Sequence, residues 1–461
     1  MKLLCLPSES GELQNVSTSP IFTGGVGSTV ENTGNQKSNP HEALIQYGLL
    51  ARDISENVAP DGDARVFYNV TAPSSVFICG SQGSGKSHTL ATLLENCLVK
   101  SEANVLPRPL SGLVFHYDTT ISDSGGHPCE AAHLPNVLIR PLHFAETDLN
   151  TRRMLDLMAV SAGSNGRAPL YITVVTKVIR EMRLQEQREG KGFNYGTFKN
   201  ALNAEKLTEA QLVPLRQRLD ALESFLAQPK TKKRNREAQP SEDEKAAEWR
   251  PVSGQLTVVD LSCPCVTAEI ACALFNICLG LFLEQETSLG RVVALDEAHK
   301  YMNDSLESDE FTETLLSTIR LQRHLGARVV ISTQEPTISP RLLDLCSITI
   351  VHKFTSPNWF HALRGHLAGA FNNEVDGQDQ KQTSVGPKAT LHRYRSISPS
   401  ELFPTVVNLR TGEALLFSPG AVVATAGNGT SWQAVYLGTG IMKVRVRHRV
   451  TADGGRSVMA G

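Results

Sequence analysis

The sequence has no stretch of the roughly 20 apolar residues that a bilayer crossing needs. Its most apolar long run, Ile270 to Leu283, is shorter and contains an asparagine, so it reads as a buried helix. At the amino terminus, Met1-Lys2-Leu3-Leu4-Cys5-Leu6-Pro7 reaches a proline before any secretory core can form. A soluble, intracellular protein with no membrane partner is expected, cytoplasmic or nuclear. A bias of charge is missing too. The formal net charge is −2 over 461 residues, so any nucleic-acid-binding surface has to be local. The nine cysteines lack ligand spacing. Cys263 and Cys265 flank a proline and Cys129 follows His127, but no second pair completes a metal site, and reduced core thiols are the expectation. No internal repeat is visible.

What is present is ordinary for a globular chain: 41% hydrophobic and 20% charged residues, enough for a large core. Residues 8 to 40 are rich in Ser, Gly, Asn and Thr, which predicts a flexible tail over 1–45. From Val76 onward, short apolar runs alternate with helical segments. The runs are Val76–Cys79, Leu113–Phe115, Val137–Ile139, Leu256–Val259, Val292–Leu295, Arg328–Ile331 and Ile348–Val351. That pattern predicts an α/β fold with a largely parallel central sheet over 46–450. A helical insertion is expected at about 180–250. In it, Thr208 and Gln211 form a capping box ahead of Leu212, Leu215, Leu219, Leu222 and Phe225 at helical spacing. Pro214 falls early enough in that helix to be tolerated. Lys230 to Glu248 reads as a charged linker whose basic part (Lys230, Lys232, Lys233, Arg234, Arg236) suits a solvated loop, or a nuclear-import or nucleic-acid contact. Strands are expected around Ala414–Phe417 and Trp432–Val446, before a flexible end at 451–461.

One motif carries the chemistry. Gly80-Ser81-Gln82-Gly83-Ser84-Gly85-Lys86-Ser87 fits G-x-x-x-x-G-K-[ST], with a strand before it and a helix over Ser87–Val99 after it. The glycines let backbone N–H groups converge on phosphate oxygens, and the helix N-terminus adds its dipole. His88 begins the first turn beside the nucleotide. Lys86 is placed for the β- and γ-phosphates of ATP, and Ser87 for Mg²⁺. A second apolar strand, Val292–Leu295, ends in Asp296-Glu297, which suits Mg²⁺ binding by Asp296 and polarisation of the attacking water by Glu297. Asp260, also at a strand end but without a following acid, is the lesser candidate. A third strand ends in Ser332-Thr333-Gln334, where Gln334 can sense the γ-phosphate. Arg320 and Arg323 end a helix between the last two strands and are either C-terminal cations or arginine fingers.

The loop at 80–87, Asp296-Glu297-Ala298-His299, the run Arg320 to Gly326, Ser332-Thr333-Gln334-Glu335-Pro336 and Gly412-Glu413-Ala414-Leu415-Leu416-Phe417 together resemble the HerA–FtsK group of ring-forming ATPases. The resemblance spans about 70–450. It implies a RecA-like P-loop core, ATP hydrolysis with Mg²⁺, a homo-oligomeric ring (a hexamer) and translocation of double-stranded DNA with a nuclease partner. Two family features are absent from the sequence reading. HerA proteins carry an N-terminal β-barrel, where here a low-complexity tail and a short stretch precede Val76. FtsK proteins carry membrane spans and a DNA-reading winged helix.

Asp296-Glu297-Ala298-His299 also spells a DEAH-helicase box. Such enzymes need a second ATPase-like lobe, and the stretch after Gln334 is too short and irregular to supply one. An ATP-switched signalling or defence NTPase that does not act on nucleic acid is the alternative that stays open. A scaffold with a dead nucleotide site is disfavoured, because Lys86, Ser87, Asp296 and Glu297 are all present.

Overall fold

The computed structural model describes residues 15–29, 46–55, 63–118, 129–139, 142–157, 171–190, 192–226, 249–263, 265–366, 394, 399–428 and 431–452. The strands are β1 (Ile21–Thr23), β2 (Tyr47–Asp53), β3 (Arg65–Asn69), β4 (Ser75–Cys79), β5 (Asn104–Val105), β6 (Ser111–His116), β7 (Val137–Ile139) and β8 (Leu256–Asp260). They continue as β9 (Arg291–Leu295), β10 (Ala327–Thr333), β11 (Ile348–His352), β12 (Glu413–Phe417), β13 (Val422–Asn428), β14 (Ser431–Tyr436) and β15 (Met442–Val446). The helices used below are α1 (Lys86–Leu98), α2 (Tyr171–Glu189), α3 (Tyr195–Ala204), α4 (Glu209–Phe225), α5 (Ala268–Glu284), α6 (Leu306–Arg320) and α7 (Gln322–Leu325).

All the strands but β5 form one path, in the order β14-β13-β1-β3-β2-β15-β12-β11-β4-β10-β9-β6-β8-β7, with β5 beside β2. Every pairing from β11 to β7 is parallel. These strands read as continuous apolar runs because both of their faces are covered. Val76 and Ile78 of β4 point into one core layer, with Leu90, Leu94 and Cys97 of α1. Phe77 and Cys79 point into the other, with α5 and α6. Ile270 to Leu283 is the buried helix expected: it lies within α5, where Ala271 to Leu279 are all buried, and Phe275 meets Phe115 of β6 at 4.7 Å. A stripe one turn wide would not cover a sheet this broad, which is why α5 is apolar nearly all round.

The helical insertion forms α2, α3 and α4 on that second face. Gln211 accepts from Thr208 N at 2.9 Å, as a capping box requires, and Leu215, Leu219 and Leu222 enter the core. The stripe therefore packs on its own domain. The charged linker at 230–248 lies outside the described residues.

One expectation needs correction. Ile21–Thr23, within the stretch read as a flexible tail, is strand β1, antiparallel to β3 and parallel to β13. Ile21 and Phe22 are almost fully buried there, and Phe22 stacks on Phe67 at 5.4 Å. Few apolar residues suffice when neighbours distant in the chain cover them. The stretch before Val76 also holds β2 and β3, which join β15 through antiparallel pairing of β15 with β2. A mostly antiparallel extension built from segments early and late in the sequence thus stands beside the parallel core. No helix among the described residues is long and apolar enough to cross a membrane.

Candidate functional site

A cleft of about 740 Å³ opens at the C-terminal ends of the parallel strands, lined by Gln82, Gly83, Gly85, Lys86, Ser87 and His88 on one side and by Asp296, Glu297 and Gln334 opposite. The strand order explains their meeting. β10 lies between β4 and β9, so Gln334 follows a strand that separates the glycine-rich loop from the two acids. Clefts at strand ends in open α/β sheets collect ligands for this topological reason.

The loop is held from behind. Ser81 donates to the Lys353 carbonyl from both N (2.8 Å) and Oγ (2.9 Å), and Ser84 Oγ donates to the Ser81 carbonyl at 2.7 Å. Gly80, Ser81 and Ser84 therefore shape the loop, while Gln82, Gly83 and Gly85 to His88 face the cleft. Gly85 has φ 113°, and a Cβ there would lie 3.1 Å from Gly412 N, so a side chain would be strained and crowded at once. At Gly80 a Cβ would lie 2.7 Å from His352 Cβ. The His352 ring fills the space beneath the loop. Its Nε2 is 2.9 Å from Thr89 Oγ1 on α1 and its Nδ1 is 3.0 Å from the Glu413 carbonyl on β12. Burial, with the positive field of Lys86 and His88, pushes this imidazole down to about 4, so it is neutral.

Lys86 is 4% exposed, with Nζ donating to the Ser81 carbonyl at 3.2 Å. Burial lowers its pKa, against the opposing charges of Glu297 and Asp296. Asp296, also 4% exposed, has Oδ2 3.3 Å from His116 Nδ1 and accepts from Cys129 Sγ at 3.4 Å. Burial pushes this carboxyl up, but His116, Cys129 and Lys300 outweigh it and the pKa lies below the ordinary value. The reciprocal interaction raises His116, despite its own burial. Burial and the Asp296 charge push the Cys129 thiol well up.

Glu297 is in the left-handed region at φ 48° and ψ 46°, a conformation that costs a non-glycine residue free energy and concentrates at functional sites. Its Oε2 accepts from Gln334 Nε2 at 3.2 Å and lies 3.4 Å from His299 Nδ1. The backbone turn aims this carboxylate along the cleft instead of letting it continue the strand.

Asp260 is separated from β9 by β6, and its Oδ1 accepts from Ser262 N at 2.9 Å, so it closes its own loop and does not line the cleft. Arg320 and Arg323 are exposed and precede β10, which begins at Ala327. They sit at the opposite end of that seven-residue strand from Gln334, roughly 20 Å away at the usual rise per residue. The structure does not bring either into the cleft.

Sequence reasoning missed several cleft residues: His116, Asp118, Glu130, Lys300, Thr411, Gly412, Arg445 and His448. Lys300 pairs with Asp118 at 3.2 Å, and Arg445 with Glu413 at 3.1 Å. Lys300 stands four residues after Asp296 and Asp118 two after the end of β6, a signal that could have been read. Arg445 and His448 gave none, because they arrive from the far end of the chain through β15.

Asp296 Oδ1 and Ser332 Oγ are buried with no hydrogen-bond partner. An orphaned carboxylate oxygen of a residue that lines the same cleft as Ser87 fits an oxygen-ligated Mg²⁺.

No family model matches this sequence, and no curated protein matches it. Among solved structures, VirB4 of Thermoanaerobacter pseudethanolicus is similar at a TM-score of 0.53 and 11% identity, over 87% of this chain and 96% of that one. Weaker overlays join the chain to the bacterial conjugative coupling protein TrwB (TM-score 0.49, 12% identity, 93% and 94% covered). Another is with the genome-packaging NTPase B204 of Sulfolobus turreted icosahedral virus 2 (0.30, 12%, 75% and 91%). The match to VirB4 establishes the fold: an α/β chain with a RecA-like P-loop core.

Proposed function

We propose that the chain is a Mg²⁺-dependent ATP hydrolase of the HerA–FtsK type, acting as a ring, a hexamer by resemblance, that moves or processes double-stranded DNA with a nuclease partner. The observation that carries the catalytic part is the meeting of Lys86, Ser87, Asp296, Glu297 and Gln334 in one cleft from three strands that are separate in sequence.

In this reading the backbone N–H groups of the loop and Lys86 Nζ bind the β- and γ-phosphates. Ser87 and Asp296 hold Mg²⁺, which supplies charge neutralisation at those phosphates. Glu297 orients the attacking water and takes its proton. Gln334, already donating to Glu297, is placed to exchange that bond for one to the γ-phosphate and so report its presence. His116 and Lys300 keep Asp296 ionised.

ATP binding and turnover by the full chain, with and without Mg²⁺ and double-stranded DNA, test this. Lys86→Ala is expected to lose binding and turnover together, since the loop N–H groups alone do not supply a cation. Unchanged affinity and turnover in that variant would overturn the site. Turnover indifferent to DNA would overturn the translocase part and favour an ATP-switched signalling or defence NTPase.

A further inference from the structure

Three side chains of different chemistry converge beside the proposed nucleotide site. His116 ends β6, Asp296 follows β9 on the neighbouring strand, and Cys129 opens a short helical turn over both. Their relative exposures are 4%, 4% and 2%. Asp296 Oδ2 is 3.3 Å from His116 Nδ1 and 3.4 Å from Cys129 Sγ, and the three ligand atoms lie within 4.8 Å of one another.

We infer that His116 Nδ1, Cys129 Sγ and Asp296 Oδ2 form a binding site for a borderline-soft divalent cation, Zn²⁺ above all, that competes with Mg²⁺ for Asp296. The spacing supports it. A tetrahedral zinc with Zn–S of about 2.3 Å and Zn–N or Zn–O of about 2.0–2.1 Å holds its ligand atoms about 3.3–3.6 Å apart. Two of the three separations already match. The donor set also selects the metal. Mg²⁺ takes oxygen ligands in near-octahedral array and gains little from a thiol or an imidazole. Imidazole and thiolate with one carboxylate suit zinc, and three protein ligands leave the fourth position to water, as in open zinc sites. On binding, the Cys129 thiol gives its proton to solvent and the thiolate joins the metal.

The same carboxylate cannot serve both ions in full. Zinc drawn to Oδ2 by His116 and Cys129 pulls Asp296 from the Mg²⁺–water network that Ser87 shares, and turnover slows. This consequence rests on the ATPase reading; the metal site does not.

Among the described residues the exposed rival thiols are Cys263 and Cys265 on the loop after β8, so the test separates them. Cobalt(II) added to the chelator-treated full chain is expected to give a thiolate-to-cobalt charge-transfer absorption at one equivalent, abolished by zinc. Cys129→Ser and Cys129→Ala should lose that absorption while keeping a cooperative thermal transition. His116→Ala should weaken cobalt affinity by about tenfold or more. A Cys263→Ser/Cys265→Ser double variant should keep it. Absence of the absorption, or its survival in Cys129→Ser, overturns the site. In the presence of excess Mg²⁺ and ATP, zinc should inhibit the parent chain and not Cys129→Ser. Cobalt binding through Cys129 without zinc inhibition would uphold the site and overturn its coupling to turnover.

Discussion

Gln334 Nε2 donates to Glu297 Oε2 across 3.2 Å, tying the ends of two adjacent parallel strands. The two residues should therefore fail in different ways. Glu297→Gln keeps shape and loses charge, so it is expected to bind ATP normally and turn over more slowly by roughly 10²-fold or more. Gln334→Ala removes an orienting donor and should cost less, about 10-fold, mainly in kcat. Single-turnover kinetics distinguish the two, and a normal rate in Glu297→Gln would move the base elsewhere.

His352 ties the loop to the sheet in its neutral form only. Its pKa is about 4 in the folded chain against about 6.5 unfolded. Between those values the unfolded chain binds more protons, so stability rises with pH. The contribution is fully present above about pH 6.5 and is lost as pH falls through 4. Its ceiling is about 3 kcal/mol. Urea midpoints measured from pH 7 to 4.5 should fall more steeply for the parent chain than for His352→Gln, and equal slopes would refute the assignment.

Glu95 clamps the segment 447–451 to α1. Only 1% exposed, it accepts from Arg447 Nη1 at 2.8 Å, from Thr451 N at 2.9 Å and from Thr451 Oγ1 at 2.6 Å. The same strap meets the cleft, where His88 Nε2 is 2.7 Å from the Arg447 carbonyl. Glu95→Gln removes the carboxylate charge that the buried Arg447 and Arg449 both face, and a loss of about 3 kcal/mol is expected by denaturant unfolding. Proteolysis near residue 447 should be faster in this variant even while α1 stays folded.

In the proposed ring, Arg323 and Arg320 would reach a phosphate only across a subunit boundary. If either is a finger, mixing Arg323→Ala subunits with Lys86→Ala subunits should restore part of the turnover, because some interfaces then pair an intact loop with an intact arginine. Fingers are worth about 10³- to 10⁵-fold in rate. Arg445 supplies the control. It lines the cleft of its own subunit, so Arg445→Ala should not be complemented in this way. A chain monomeric at all concentrations with full turnover would rule the ring out.

The sequence by itself determined the parallel half of the sheet and the strand ends that meet in the cleft. Buried parallel strands need apolar residues on both faces, so Val292–Leu295 and its counterparts announce themselves without reference to anything distant. The phosphate loop, Asp296, Glu297 and Gln334 follow from those strands by local grammar. Local pattern also gave the capping box at Thr208 and the buried helix at Ile270. Only the tertiary structure decided what depends on pairing between the chain's ends. Ile21–Thr23 is a strand because β3 and β13 cover it, and Arg445 reaches the cleft because β15 pairs with β12 and β2. His116 and Cys129 meet Asp296 for the same kind of reason: β6 and β9 are neighbours in the sheet though far apart in sequence. Side chains brought together by long-range register leave no periodic trace in either segment, since each segment satisfies only its own backbone locally.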